Sequence, residues 1–151
     1  MKKFFNIFAA LLLAIISTSC LNSNLEELDV YSGCEVTNGN VYYRYISEDV
    51  HPGTGSNYVK QVYLAAARTS DAENCTYSIR YVTDNIPEAK RADFEKSAVV
   101  ILTISTAAVV KPVGDAPALG TPGDWTKDNQ YDIIAADGTT KRWTIHIEPY
   151  Q

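Results

Sequence analysis

Beyond residue 28 the chain alternates apolar and polar side chains in short runs, and this period of two is the pattern of half-buried β-strands. The runs are rich in Val, Ile, Tyr and Thr, and clusters of Gly, Asn, Asp and Pro separate them. The pattern predicts an all-β domain of about seven to eight strands. We expect these strands at residues 28–36, 41–47, 58–67, 76–83, 98–105, 109–113, 130–136 and 141–148.

Two glycine-containing turns are expected to join neighbouring strands. Asn38-Gly39 and Asp137-Gly138 both favour tight hairpins, because such dipeptides readily adopt positive φ angles. Residues 85–97, NIPEAKRADFEKS, contain a proline and good helix formers, which predicts a helical turn or a crossover between sheets. The last strand has the pattern of a half-buried outer strand, and its apolar face consists of Trp143, Ile145 and Ile147.

The first 20 residues follow a different pattern. Lys2 and Lys3 precede the apolar run IFAALLLAII at residues 7–16, and the small residues Ser17-Thr18-Ser19 follow it. This is the layout of an export signal. The run is too short for a membrane-spanning helix, which needs about 20 apolar residues. We therefore expect residues 1–19 to be a cleaved signal peptide.

Cys20 stands directly after the small residues at the predicted cleavage site. An ordinary signal peptidase would release a soluble protein here, whereas the lipoprotein route would attach a diacylglyceryl group to the Cys20 thiol. We favour the lipoprotein route, because a free thiol would be a liability in an oxidising compartment. The lipobox is a relaxed one, with Ser17 where leucine is usual. It predicts membrane attachment through lipidated Cys20, a tether at residues 20–27 and a single domain at residues 28–151.

Composition and charge narrow the choice of partners. The chain has a net charge of −5 at pH 7 and no cluster of Lys and Arg. Nucleic acids are held mainly by neutralising their phosphates, so we expect no nucleic-acid partner. Phe94 is the only phenylalanine after the signal, beside ten tyrosines. Tyrosine suits both half-buried strands and wet recognition surfaces.

Two cysteines remain after Cys20. In an exported protein Cys34 and Cys75 are most simply interpreted as one disulfide. Such a bridge would stabilise the fold by roughly 4 kcal/mol on the chain-entropy account. The alternatives are weaker, because a catalytic thiol needs a nearby histidine and a zinc site usually needs four ligands.

Residues 124–147, DWTKDNQYDIIAADGTTKRWTIHI, resemble the ending of small immunoglobulin-like domains in Bacteroidetes lipoproteins. In that family an aromatic residue leads into a strand, an Asp-Gly-Thr-Thr-Lys turn and a strand of the form Trp/Tyr-Thr-Val-x-Val. The preceding VVILTISTAAVVKPVGDAPALGTPGD is similar to the family's apolar strand, Ala/Val strand and Pro/Gly loop. Asp128 and Ala136 depart from the family, which commonly has proline and glutamate there.

The resemblance implies a fold and a location. The implied fold is an immunoglobulin-like antiparallel β-sandwich, and the implied location is the outer membrane, with the domain on the cell surface or the periplasmic face. Such domains often occur in glycan-handling or adhesion lipoproteins of unknown function. The resemblance assigns no functional residue, because a sandwich fold does not determine function.

The sequence shows no catalytic constellation. His51 and His146 have no second His or Cys at metal-ligand spacing, so we interpret both as surface residues. No nucleophile elbow or phosphate-binding loop is present. We therefore expect no enzyme activity, no metal and no cofactor. A calcium loop would need a glycine turn, which is missing from the run that contains Asp124, Asp128 and Asp132.

Two aromatic residues are candidate ligand contacts. Trp125 lies in the loop after Pro122-Gly123-Asp124, and Tyr58 ends the Pro/Gly loop at residues 48–57. Trp125 could stack on a sugar ring with Tyr58 beside it, or it could plug the end of the sandwich.

Two functions from different classes fit the sequence. The first is a non-catalytic binding or adhesion module that contacts a glycan or a protein through its loops. The second is a structural or assembly subunit that engages a protein partner by strand addition. A small hydrolase is a weaker third alternative, because no nucleophile and base are visible.

We expect mass spectrometry of the native protein to find a mature N-terminus at Cys20 that carries acyl chains. Two or more chains hold a protein on a bilayer almost irreversibly, so Cys20→Ala should remove the protein from the membrane fraction or leave it uncleaved. Cys75→Ala is the matched control, because it removes a cysteine that lies outside the lipobox. A native Cys20 without lipid would contradict the prediction.

Overall fold

A computed structural model describes residues 31–150, where nine β-strands form two sheets that pack face to face. The predicted signal peptide, Cys20, the tether and the first residues of the predicted domain lie outside this range. Within it, no helix has the length and apolar character needed to span a bilayer. From Tyr31 onward the chain forms one compact unit.

One short helical region interrupts the strands. The strands are β1 (Val36–Val50), β2 (Asn57–Tyr63), β3 (Ala65–Asp71), β4 (Thr76–Tyr81), β5 (Ala98–Ile104), β6 (Val109–Pro112), β7 (Pro122–Gly123), β8 (Asn129–Ile134) and β9 (Thr140–Pro149). Between β4 and β5 lie the predicted helical turns, as helix α1 (Glu88–Arg91) and a 3-10 helix at Phe94–Ser97.

The two sheets confirm the predicted immunoglobulin-like β-sandwich, with nine strands where seven or eight were expected. One sheet has the order β2-β1-β5-β7, and the other has the order β3-β4-β9-β8-β6. Neighbouring strands are antiparallel except β4 and β9, which run parallel.

Inward-facing side chains of both sheets form the core. The apolar face predicted for the last strand is confirmed, since Trp143, Ile145 and Ile147 are all buried. The indole N–H of Trp143 donates to the carbonyl of Cys34 at 2.7 Å, which joins β9 to the chain just before β1. The prediction of an outer strand is wrong, because β9 lies between β4 and β8. The outward-facing side chains of β9 alternate with the buried ones because the outer face of the five-stranded sheet is in contact with solvent.

The hairpin predicted at Asn38-Gly39 is also wrong. Both residues lie inside β1 and pair with β5. A Cβ on Gly39 would lie 2.6 Å from Cδ1 of Ile79, so the glycine is needed where β1 passes close to the other sheet. The hairpin at Asp137-Gly138 is confirmed, and Gly138 has the positive φ of 88° that favours glycine.

The single strand predicted at residues 58–67 is two strands in different sheets. β2 pairs with β1, β3 pairs with β4, and the fully buried Leu64 lies between them. The Leu64 N–H donates to the carbonyl of Val41 and its own carbonyl accepts from the N–H of Val82, both at 2.9 Å. This one residue therefore connects the two sheets.

The disulfide predicted between Cys34 and Cys75 is not formed in this structure, where both residues are free thiols. The buried Cys34 thiol donates to the carbonyl of Thr139 at 3.1 Å. The Cys75 thiol donates to the carbonyl of Ala72, in the turn between β3 and β4, at 3.7 Å. Each thiol thus has its own backbone acceptor, and the core closes without a covalent cross-link between these residues.

Leu64→Ala should destabilise the fold by about 2–5 kcal/mol, because it removes a fully buried side chain where the chain changes sheets. Val59→Ala, on the exposed part of β2, is the matched control and should change the free energy of unfolding by less than about 0.5 kcal/mol. Denaturant unfolding at low protein concentration, followed by tryptophan fluorescence, measures both. Equal losses in the two variants would contradict the assigned role of Leu64.

Candidate binding surface

Strands β1 and β2 extend beyond the rest of their sheet as a two-stranded arm. The pairing of β1 with β5 ends at Tyr42↔Val99, whereas the pairing of β1 with β2 continues outward to Val50↔Asn57. We call residues 43–63, including the connecting loop at residues 51–56, the arm. Most of its residues are exposed: Ser47 alone is buried, and the half-buried residues are Tyr43, Arg44 and Val62.

The outer face of the arm, which points away from the core, carries apolar and aromatic side chains on either side of a polar pair. Three cross-strand pairs make up this face: Tyr42↔Tyr63, Arg44↔Gln61 and Ile46↔Val59. Ile46, Val59 and Tyr63 are 73%, 65% and 48% exposed. The rings of Tyr42 and Tyr63 meet edge to face with centroids 5.6 Å apart. Exposed apolar side chains grouped on one face in this way are typical of a contact site.

Tyrosine rings also line the inner face of the arm. Tyr43 packs against Phe94 of the core with ring centroids 6.2 Å apart, and Tyr45 stacks on Tyr43 at 5.4 Å. Nearer the tip, Tyr58 is 42% exposed and its ring lies 5.5 Å from that of His51. Such rings offer apolar faces together with hydroxyl groups that can form hydrogen bonds.

Polar contacts hold the tip of the arm in shape. The Lys60 ammonium donates to Asp49, and the Ser47 hydroxyl donates to the same carboxylate at 3.0 Å. The hydrogen bond from Lys60, followed by that from Ser47, holds the pKa of Asp49 below its usual value. The same contact with Asp49 raises the pKa of Lys60. The His51 N–H closes the loop by donating to the carbonyl of Ser56 at 2.8 Å.

The outer face of the five-stranded sheet is charged instead. Its ion pairs are Arg142–Asp132 at 2.8 Å and Arg80–Glu148 at 2.7 Å, and Nδ1 of His146 lies 2.7 Å from a carboxylate oxygen of Asp128. Paired charges on exposed strands are well solvated, so this face lacks the apolar character of the arm. Asp124 lies away from these pairs and accepts from the Thr126 N–H and hydroxyl at 3.0 and 2.7 Å.

The two aromatic candidates from the sequence lie in different environments. Trp125 is 2% exposed, its ring stacks on Tyr131 with centroids 6.1 Å apart, and its backbone N–H donates to the carbonyl of Glu95 at 2.7 Å. It therefore plugs the core and offers no ring face to a ligand. Tyr58 lies on the exposed arm.

A small apolar recess lies between β6 and the loop before β7. Its volume is about 240 Å³, and it is lined by Val110, Pro112, Ala118, Leu119 and Tyr131. The Tyr131 hydroxyl donates to the carbonyl of Pro117 at 2.7 Å, and burial raises its pKa. The recess therefore has an engaged, neutral phenol and no charged group. Across residues 31–150, no group of His, Cys, Asp and Glu side chains is arranged to hold a metal ion.

Lys60→Met should raise the pKa of Asp49 towards that of an ordinary aspartate, because the hydrogen bond from Lys60 is the largest cause of its lowering. A carboxyl with a lowered pKa stabilises the folded state above its unfolded pKa, and this contribution is lost as the pH falls through the folded pKa. The wild-type tip should thus loosen below about pH 4. Carboxyl NMR titration measures the shift, with Lys111→Met on β6 as control. An unchanged Asp49 titration in Lys60→Met would contradict this account.

Known proteins resemble this chain in sequence and in structure. A sequence profile of the DUF5018-related family matches residues 36–146. A Bacteroides fragilis protein inferred to be secreted has a solved structure with a TM-score of 0.71 and 32% sequence identity, and the match covers 81% of this chain and 99% of that chain. No curated protein sequence matches the chain.

A second solved structure is less similar. It belongs to a Bacteroides thetaiotaomicron protein proposed to be a glycoside hydrolase, with a TM-score of 0.44 and 18% identity over 78% of this chain and 26% of that chain. Similarity at this level carries no argument about function. The family profile spans most of the described sandwich of this chain. The B. fragilis protein matches this chain along nearly the whole length of that protein. The chain therefore belongs to the DUF5018-related family.

Proposed function

We propose that the protein is a lipid-anchored envelope protein whose sandwich is a non-catalytic binding or adhesion module, with the arm as its contact surface. The similarity to a B. fragilis protein inferred to be secreted supports a place outside the cytoplasm. The predicted signal peptide and the predicted lipidation of Cys20 support attachment to the outer membrane. Protease shaving of intact cells, compared between wild type and Cys20→Ala, distinguishes the cell surface from the periplasmic face.

The observation that carries this proposal is the exposed apolar surface on both faces of the arm. Burial of apolar surface contributes about 25 cal/mol per Å² to the free energy of association. A partner that covered the exposed side chains of Ile46, Val59 and Tyr63 would therefore gain binding free energy. The five-stranded sheet shows the contrasting case, in which ion pairs cover a solvent-facing surface. The arm is therefore the surface best suited to binding.

A glycan is the first candidate ligand. The apolar face of a sugar ring can stack on tyrosine, while its hydroxyls bond to polar groups at the rim. Tyr45 and Tyr58 present exposed rings on the inner face of the arm, with the Lys60–Asp49 pair between β1 and β2 on the same arm. Tyr58 therefore stays a proposed ligand contact, whereas the buried Trp125 is not proposed as one.

The module is proposed to be non-catalytic because the described residues join no nucleophile to a base. His146 contacts Asp128, and Ser78 lies opposite His146 in the β4–β9 register. Within residues 31–150, however, the Ser78 hydroxyl makes no hydrogen bond to that imidazole. Nδ1 of His51 accepts a hydrogen bond from the Gly53 N–H at 3.1 Å, so the imidazole helps to hold the loop at residues 51–56 in shape.

Strand addition to a protein partner is the second candidate function. The observation that favours it is β2, a seven-residue strand at the edge of its sheet with nearly every residue exposed. Such an edge presents unpaired backbone N–H and C=O groups that a further strand can bond.

Tyr58→Ala and Tyr45→Ala should each weaken glycan binding roughly twofold to tenfold, because each removes an aromatic contact. A glycan panel identifies the best ligand, and calorimetric titration of the purified protein measures its affinity. Tyr31→Ala is the matched control, because Tyr31 is 59% exposed and lies beside the β8–β9 turn, away from the arm. Absence of binding across the panel, or an equal loss in Tyr31→Ala, would count against a glycan ligand.

A further inference from the structure

We infer that the partner of the arm is a second copy of this chain, with β2 of each copy pairing antiparallel to β2 of the other. The result is a four-stranded sheet in the order β1-β2-β2-β1, with a two-fold axis at its centre. This inference rests on the proposed function, because it takes the arm as the contact surface and names what it contacts.

The arm is incomplete as a folded unit. It consists of two strands that project beyond the sandwich, and a two-stranded hairpin in water is at best marginally stable. Exposed apolar side chains lie on both of its faces, with Ile46 and Val59 outside and Tyr45 and Tyr58 inside. Additional strands would supply the missing stability, and the added surface would shield these side chains.

The free edge of β2 has the hydrogen-bonding groups that a further strand requires. The Leu64 N–H donates to the carbonyl of Val41, and the same register runs unbroken from Tyr42↔Tyr63 to Ile46↔Val59. Backbone groups in an antiparallel pair point alternately towards and away from the partner. Lys60 and Val62 therefore bond to β1 like Leu64, while the N–H and C=O groups of residues 59, 61 and 63 point away from β1 to the free edge.

The other edges of the described sheets are protected. β7 has two residues, and β6 has four and ends in Pro112, which has no N–H to donate. β3 has an irregular register between Ala65 and Ala67. Short strands, prolines and bulges are the usual means of blocking strand addition. Within residues 31–150, β2 is thus the edge whose pairing is regular from Val59 to Tyr63, because the one shift in its register with β1 lies nearer the tip, between Ile46 and Val50.

The side chains of β2 select one register for pairing with itself. When Gln61 faces Gln61 of the second copy, Val59 faces its Tyr63 and Lys60 faces its Val62. The exposed apolar side chains then pack across the contact, and no like charges lie opposite each other. A register centred on Lys60 would place two ammonium groups face to face, which is destabilising. The favoured register also pairs outward-pointing residues with one another, as an antiparallel ladder requires.

The direction of pairing fits an adhesion module. In an antiparallel contact the two sandwiches point in opposite directions. Tyr31 bonds to the turn between β8 and β9, at the end of each sandwich away from the arm. The two N-terminal ends of the described domains therefore leave the dimer on opposite sides, as copies attached to two facing surfaces would.

Sedimentation velocity of the mature protein over a concentration series tests the pairing. We expect a monomer–dimer equilibrium in the wild type. Gln61→Pro should weaken the dimer roughly tenfold or more, because it removes an N–H that bonds across the two-fold axis in both copies. Gln61→Ala is the matched control, because it removes the same side chain, keeps the N–H and should keep the dimer. Unchanged circular dichroism and denaturant midpoint in Gln61→Pro show that the sandwich is folded.

Cross-linking tests the register independently. Gln61→Cys should form a disulfide between copies under oxidising conditions, because directly opposed residues of this kind have Cα atoms about 5.5 Å apart. Val59→Cys, which is equally exposed on the same strand, should not cross-link, because it faces Tyr63. Peptide mapping separates the new bond from the native cysteines.

A wild type that stays monomeric at every concentration overturns the inference, as does a dimer that survives Gln61→Pro or cross-links equally well through Val59→Cys. These failures differ from failure of the proposed function. If the wild type is monomeric and Tyr58→Ala still lowers glycan affinity, self-pairing is overturned while the binding role of the arm stands. If the dimer forms in the expected register, the inference stands without any glycan ligand.

Discussion

The packing of Trp143 between the two sheets is the interaction on which the rest of the structure depends. Its ring is fully buried on the central strand of the five-stranded sheet, and its indole N–H bonds to Cys34, just before β1 of the other sheet. A buried indole N–H without an acceptor would be costly, so this bond holds the start of β1 in place. From there β1 pairs with the seven-residue β5 as far as Tyr42↔Val99, and the remainder of this 15-residue strand extends beyond β5.

The sandwich and the arm therefore contribute differently to the protein. The sandwich is closed by the buried rings of Trp125, Tyr131 and Phe94, and its charged outer face meets water. The arm adds exposed apolar surface instead and contacts the core through the edge-to-face packing of Tyr43 on Phe94. Because the arm contributes little to the core, its side chains are suited to recognition, and a partner that covers them would add to the stability of the whole.

Several elements could be predicted from local sequence. The alternation of residues 76–83 and 141–148 predicted strands close to those observed, because a period of two is visible within each segment. The near-continuous apolar run at residues 98–105 predicted β5. The turn at Asp137-Gly138 was predictable because the Asp-Gly dipeptide is itself a local hairpin signal. The arm was not predicted, although the run VYYRYIS places tyrosines on both of its faces. Its extent was hidden because Asn38-Gly39 was assigned to a hairpin that would have ended the first strand where β1 in fact continues.

By itself the sequence determined the all-β class, the inward face of the last strand and the expectation of export, because these follow from hydrophobic periodicity and from the short apolar run after Lys2 and Lys3. Tertiary structure decided the role of Gly39, the change of sheet at Leu64 and the burial of Trp125. Each of these depends on partners far away in the chain, namely Ile79, Val41 with Val82, and Glu95 with Tyr131. Contacts between distant segments leave no periodic signal in the local sequence, so only the assembled sheets reveal them.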